Sequence, residues 1–147
     1  MKPKRILHPT DFSGASSRAF AKALELARAD RAELLLLHVL TPVVPVADEG
    51  YVSPKTYDDL TRAQRAHAGR QLDALAARAR RARARVRTLV LEGRPHERIA
   101  HAAKARGADL IVMGTHGRGA VAKFFLGSVA ERVVGTASCP VLTVRGR

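Results

Sequence analysis

Two glycine-bearing stretches and one aspartate hold the residues best suited to chemistry. Gly114-Thr115-His116-Gly117-Arg118-Gly119 follows a short apolar run, and nine residues separate Gly117 from the pair Gly127-Ser128, a G-x2-G-x9-G-S pattern. Glycines let a backbone approach an anion closely, and a helix N-terminus adds free N–H groups and the positive end of a dipole. The chemistry implied is the binding of a phosphate chain. A plainer alternative has Gly114 and Gly117 merely turning the chain while Ser128 and Glu131 form a capping box, S-x-x-E. The loop is not a P-loop, because Ala120 and Val121 stand where Lys and Ser or Thr would follow Gly119. It is not a dinucleotide fingerprint either, since Ala122 takes the third glycine's place. Asp11, near the N-terminus, is placed to accept a ribose hydroxyl or to hold a Mg²⁺ that bridges phosphates, or else to act as a turn or cap residue.

These residues need a frame. Arg5 to His8 reads as a first strand stopped by Pro9, with Thr10 and Asp11 at its end and Ser13 or Ser16 to cap a helix. That helix carries Phe20, Ala23, Leu24 and Ala27 at helical spacing and ends near Asp30. Leu34 to Leu37, with Val39 and Leu40, form an unbroken apolar run that suits a strand covered on both faces. Thr41 to Thr56, with three prolines and a glycine, reads as a long loop. Leu60, Ala68, Leu72, Leu75, Ala76 and Ala79 then mark a long helix from about Tyr57 to Ala84, interrupted in propensity at Gly69. A third strand at Val86 to Leu91, a third helix opened by Pro95 and stopped by Gly107, a fourth strand at Leu110 to Met113, a helix from Gly127 to about Thr136 and a last strand at Val141 to Val144 complete the chain. Strict alternation with right-handed crossovers predicts an α/β fold with an open parallel sheet, helices on both faces and a ligand site at the carboxyl ends of strands one, two and four.

The 147 residues, 46% of them apolar, suit one domain. With 26 basic and 13 acidic side chains the formal charge is +13, which favours polyanionic partners. Only six residues are aromatic, thin material for stacking single-stranded nucleic acid. Arg78, Arg80, Arg81, Arg83, Arg85 and Arg87 alternate with alanines and read as a solvated face, so nucleic acid is not expected as a partner. The six histidines show no metal-binding spacing, so no dedicated zinc site is expected. A single cysteine, Cys139, before a buried-looking strand reads as inert packing. With one cysteine, no signal peptide and no run long enough to span a bilayer, the expected address is the cytoplasm.

Taken together, Pro9-Thr10-Asp11-Phe12-Ser13, Met113-Gly114-Thr115-His116-Gly117-Arg118, Gly127-Ser128-Val129-Ala130-Glu131-Arg132-Val133 and Cys139-Pro140-Val141-Leu142 resemble the universal stress protein family from Lys4 to Val144. Within that resemblance, the G-x2-G-x9-G-[ST] spacing is the mark of the ATP-binding branch. It implies a Rossmann-like five-stranded sheet in the order 3-2-1-4-5. ATP would be held by Pro9, Thr10 and Asp11, by the backbone of Val39 facing adenine, and by Met113, Gly114, His116, Gly117, Gly127, Ser128 and Val129 around the phosphates, with Mg²⁺ at Asp11 still one alternative for that carboxylate. Val39 equally suits a core valine. Gly119 departs from the polar residue that many relatives carry there. The resemblance also implies a homodimer through Val141 to Val144, an edge strand. The function implied is a nucleotide-dependent regulatory module of the stress response, whose occupancy orders the segment between Gly114 and Gly127. A slow ATP hydrolase and a nucleotide-free interaction module using the basic surface are the rivals.

Overall fold

The computed structural model describes residues 1–42, 53–116 and 126–146. Among them five strands alternate with four helices: β1 Arg5–Pro9, α1 Gly14–Asp30, β2 Glu33–Leu40, α2 Pro54–Arg81, β3 Arg85–Glu92, α3 Pro95–Ala105, β4 Leu110–Gly114, α4 Ser128–Thr136 and β5 Val141–Val144. Every strand pairing is parallel and the order is β3-β2-β1-β4-β5. The strand order reverses between β1 and β4, so their carboxyl ends diverge into a crevice.

The apolar stretches Ile6-Leu7, Leu34 to Leu37 and Leu110 to Met113 are continuous because both sheet faces are covered. Ile6, Leu34, Leu36, Leu110 and Val112 pack with Phe20 and Ala23 of α1 and Leu72 and Ala76 of α2. Leu7, Leu35, Leu37, Ile111 and Met113 pack on the other side with Ile99 of α3 and Ala130 and Val133 of α4. Successive strand residues point to opposite faces, so each must be apolar where helices lie on both.

Local signals set the helix ends. The Ser13 side chain accepts from the Ser16 N–H, capping α1, and Ser53 accepts from the Thr56 N–H, capping α2. Helix α2 therefore starts at Pro54 rather than near Tyr57, with proline at the first turn where its missing N–H costs nothing. It ends at Arg81 and passes through Gly69 without a break. The rest of the expected loop, residues 43–52, lies outside the described residues. Gly107, at φ +62°, follows α3 in the left-handed conformation. The corresponding residues after α1 and α2 are Arg31 at φ +54° and Arg83 at φ +63°. That conformation costs a non-glycine residue about 1–2 kcal/mol.

Candidate functional site

An open cleft of about 820 Å³ lies at the carboxyl end of the sheet. Pro9, Thr10 and Asp11 reach it from the end of β1, Val39 from β2, Met113, Gly114 and His116 from the end of β4, and Gly127, Ser128 and Val129 from the start of α4. Gly117 lies outside the described residues. All the other residues expected to contact nucleotide thus border one space, although Asp11 and Gly127 are 116 positions apart in the chain.

Side-chain hydrogen bonds complete the ladder bonds at the end of β1. The β1–β4 register, Ile6 with Leu110 and Leu7 with Ile111, carried two residues further would set the N–H of residue 9 toward the Val112 carbonyl. Proline has no N–H. Instead His8 Nδ1–H donates to the Val112 carbonyl at 2.9 Å, and on the other side the Thr10 N–H donates to the Leu37 carbonyl at 2.8 Å. His38 Nδ1–H donates to the Thr10 carbonyl at 2.8 Å and its ring stacks on Phe12, centroids 4.7 Å apart. Phe12 sits at φ +63°, its N–H bonded to Thr10 Oγ1. Asp11 Oδ1 accepts from the Ser13 N–H at 2.9 Å and from the Ser16 hydroxyl at 2.8 Å. The carboxylate is thereby oriented at the mouth of the cleft by the first turn of α1.

Two glycines bring the separate elements together. The Gly127 N–H donates to the Thr115 carbonyl at 2.6 Å, and a Cβ on Gly127 would stand 2.9 Å from that oxygen. Only glycine lets α4 begin so close to the end of β4. Gly114 plays the same part toward α1, where a Cβ would meet backbone and side-chain atoms of Ala15 at 3.0–3.2 Å. The expected capping box is not formed. Gly127 is the N-cap, Ser128 is the first helical residue, and among the described residues no side chain caps α4. The close approach to Thr115 excludes a side chain at the cap position. The first-turn amides of α4 therefore border the cleft without, among the described residues, the side-chain oxygen partner that Ser13 and Ser53 give α1 and α2.

The chemistry of this end fits a polyanion. His116 lies beside those amides, its Nδ1 3.0 Å from Thr115 Oγ1. Its Nε2 is buried and has no hydrogen-bond partner among the described residues. The lining also includes the apolar Leu37, Val39, Leu40, Ile99 and Met113.

Several lining residues escaped the sequence reading. Phe12 and His38 owe their roles to packing between β1 and β2. Gln64, His67 and Gln71 border the cleft from α2, three or four residues apart on one helical face beside buried Ala68 and Leu72. Their i, i+3, i+7 spacing is the signal in the sequence that puts them on one face of the helix. Cys139 is partly buried, and burial pushes its thiol pKa up, away from the reactive thiolate.

Fold and site together define an open, doubly wound parallel α/β protein with a cleft where the strand order reverses. The chain belongs to the universal stress protein family, whose family model matches residues 2–145. It is 42% identical over 142 residues to the Thermus aquaticus protein named universal stress protein in QAH/OAS sulfhydrylase 3′region, covering 97% of this chain and 98% of that one. The solved structure of MJ0577, a universal stress protein of Methanocaldococcus jannaschii, superposes with a TM-score of 0.85 at 28% identity, over 99% of this chain and 97% of that one. Two structures at 24% identity share the fold: a universal stress protein in complex with cAMP, TM-score 0.75 over all of both chains, and an Arabidopsis thaliana family member with AMP bound, TM-score 0.70 over 97% and 92%.

Proposed function

We propose that this universal stress protein binds ATP in the cleft and acts as a nucleotide-dependent regulatory module. The observation that carries the reading is the convergence on one space of Pro9, Thr10, Asp11, Val39, Met113, Gly114, His116, Gly127, Ser128 and Val129, with a helix N-terminus among them that no described side chain caps. Backbone N–H groups of Ser128 and Val129, with His116, would hold the phosphates. The apolar lining around Val39 would receive the adenine. Asp11 would take the ribose or a nucleotide-bound Mg²⁺, which would neutralise phosphate charge. The cAMP and AMP complexes of proteins with the same fold support adenine as the base.

The reading extends to the whole chain as one nucleotide-binding domain, to a cytoplasmic address on the strength of the lone cysteine, and to a homodimer. For the dimer the support is the edge position of β5, where Leu142 is 37% exposed, and the 49% exposed Val134 on α4.

Titration of nucleotide-free protein with ATP and Mg²⁺ in a calorimeter tests the proposal. Saturable heat at one site per chain is expected. No heat, on protein shown by mass spectrometry to carry no bound ligand, would refute it.

A further inference from the structure

In a parallel α/β fold the cleft takes the strand carboxyl ends, and the opposite end collects strand starts and helix C-termini. Here that opposite end gathers the net charge. Residues 1–5, 28–33, 78–87 and 104–109 supply thirteen of the 26 Lys and Arg residues but only three of the 13 Asp and Glu residues, which leaves ten of the thirteen net positive charges on one end of the molecule. The sequence exposes only the Arg78 to Arg87 portion of this set. Contacts between the strand starts bring the others beside it: Arg85 donates to the Arg31 carbonyl at 2.9 Å, and Arg5 to the Arg106 carbonyl at 2.9 Å.

The three carboxylates do little to neutralise this end. Glu33 is shared by Arg87 at 2.9 Å and Arg5 at 3.9 Å. Asp109 is bonded to the backbone N–H groups of Lys4 and Arg5 rather than to a side-chain cation. Arg28, Arg31, Arg80, Arg81, Arg83 and Arg106 are exposed, and none has an ion-pair partner among the described residues. The helix C-termini add about half a negative charge each, far less than the excess.

Arg31 and Arg83 carry a second signal. Both hold left-handed backbone at helix ends where α3 uses Gly107. Glycine would fill these positions without strain, so the chain keeps arginine against its own conformational preference, as strained functional positions do.

We propose that this end is a docking surface for the phosphate backbone of double-stranded nucleic acid, bound without regard to sequence. Guanidinium groups suit phosphate because they donate as a planar fork. The scarcity of aromatic residues disfavours base stacking on single strands but has no bearing on duplex phosphates. Of the large exposed apolar side chains among the described residues only Met1 lies in these segments, which gives neither a protein interface its apolar centre nor a bilayer its anchor. The surface lies at the far end of the sheet from the cleft, and the inference does not depend on what the cleft binds.

Fluorescence anisotropy with a labelled 20-base-pair duplex of mixed sequence tests it. Six arginine–phosphate contacts give a slope of about −5 in log affinity against log salt, or roughly a thousandfold loss between 50 and 200 mM KCl. Arg31→Gly with Arg83→Gly should reduce that slope by about 2 while raising the melting temperature, a combination that damage to the fold cannot produce. Lys55→Gln with Arg62→Gln removes the same charge from exposed positions elsewhere on α2 and should leave the slope unchanged. The proposal is overturned if the duplex does not bind at 50 mM KCl or if the Lys55/Arg62 variant loses as much as the Arg31/Arg83 variant. Binding of vesicles with 30% phosphatidylserine, without binding of the duplex, would overturn it in favour of a membrane surface.

Discussion

Acidification should destabilise this protein through one residue, His8. Its side chain is fully buried, its ring lies 5.9 Å from that of Phe20, and its Nδ1–H is committed to the Val112 carbonyl. That bond fixes the tautomer and leaves Nε2 buried without a partner among the described residues. A second proton would therefore place a charge in the core, and burial holds the His8 pKa down from 6.5 to about 4, only partly opposed by the Val112 bond and by Asp11. In the unfolded chain the ring titrates normally. Above pH 6.5 both states are neutral and the full stability is present; as the pH falls, the unfolded chain binds a proton that the folded one refuses, and stability drops until about pH 4. A displacement of about 2.5 pH units at 1.36 kcal/mol each corresponds to about 3 kcal/mol, a large part of a small domain's stability. Urea unfolding of the wild type and of His8→Leu at pH 7.5, 6, 5 and 4 measures it. The leucine variant should be weaker at pH 7.5 by about 1–3 kcal/mol, because the Val112 carbonyl loses its donor. It should then lose about 3 kcal/mol less than the wild type on acidification. Parallel decline of the two proteins over that range would refute the reasoning.

Gly127→Ala should weaken ATP binding by about tenfold or more in calorimetry, because a methyl 2.9 Å from the Thr115 carbonyl must push α4 off the end of β4. Gly114→Ala should act first on stability, by about 1–3 kcal/mol in urea melts, since its methyl meets Ala15 of α1. Gly69→Ala, in the interior of α2 with no atom within 4 Å of the new methyl, should raise stability by about 0.5–1 kcal/mol. Leu142→Glu at the β5 edge should shift the protein from dimer to monomer in light scattering; an unchanged mass would place any dimer contact elsewhere.

Much of the frame was legible because its signals are local. The apolar runs of β2 and β4, Ser13 and Pro95 at helix starts, and Gly107 all act within a few residues of themselves, whereas Ser53 and Pro54 stand in a stretch that reads as loop. The reason for a glycine was not legible. Gly114 and Gly127 read as places where a phosphate could approach, yet the atoms that a methyl would meet belong to Ala15 and Thr115. The S-x-x-E spacing at Ser128 suggested a capping box, and the close approach of Gly127 to Thr115 ruled it out. His8 and His38 looked like scattered histidines, and their partners are carbonyls 104 and 28 positions away.

The amino-acid pattern alone determined the alternation of strand and helix, the parallel sheet and the segments that line the cleft, because hydrophobic period and turn chemistry are properties of neighbouring residues. Folding decided which distant groups share a space. It turned Pro9's missing donor into a role for His8, and it brought the strand starts together so that charges scattered through the chain meet on one end. Those outcomes depend on strand order and register, which place residues a hundred positions apart within hydrogen-bond reach and which no local stretch of sequence encodes.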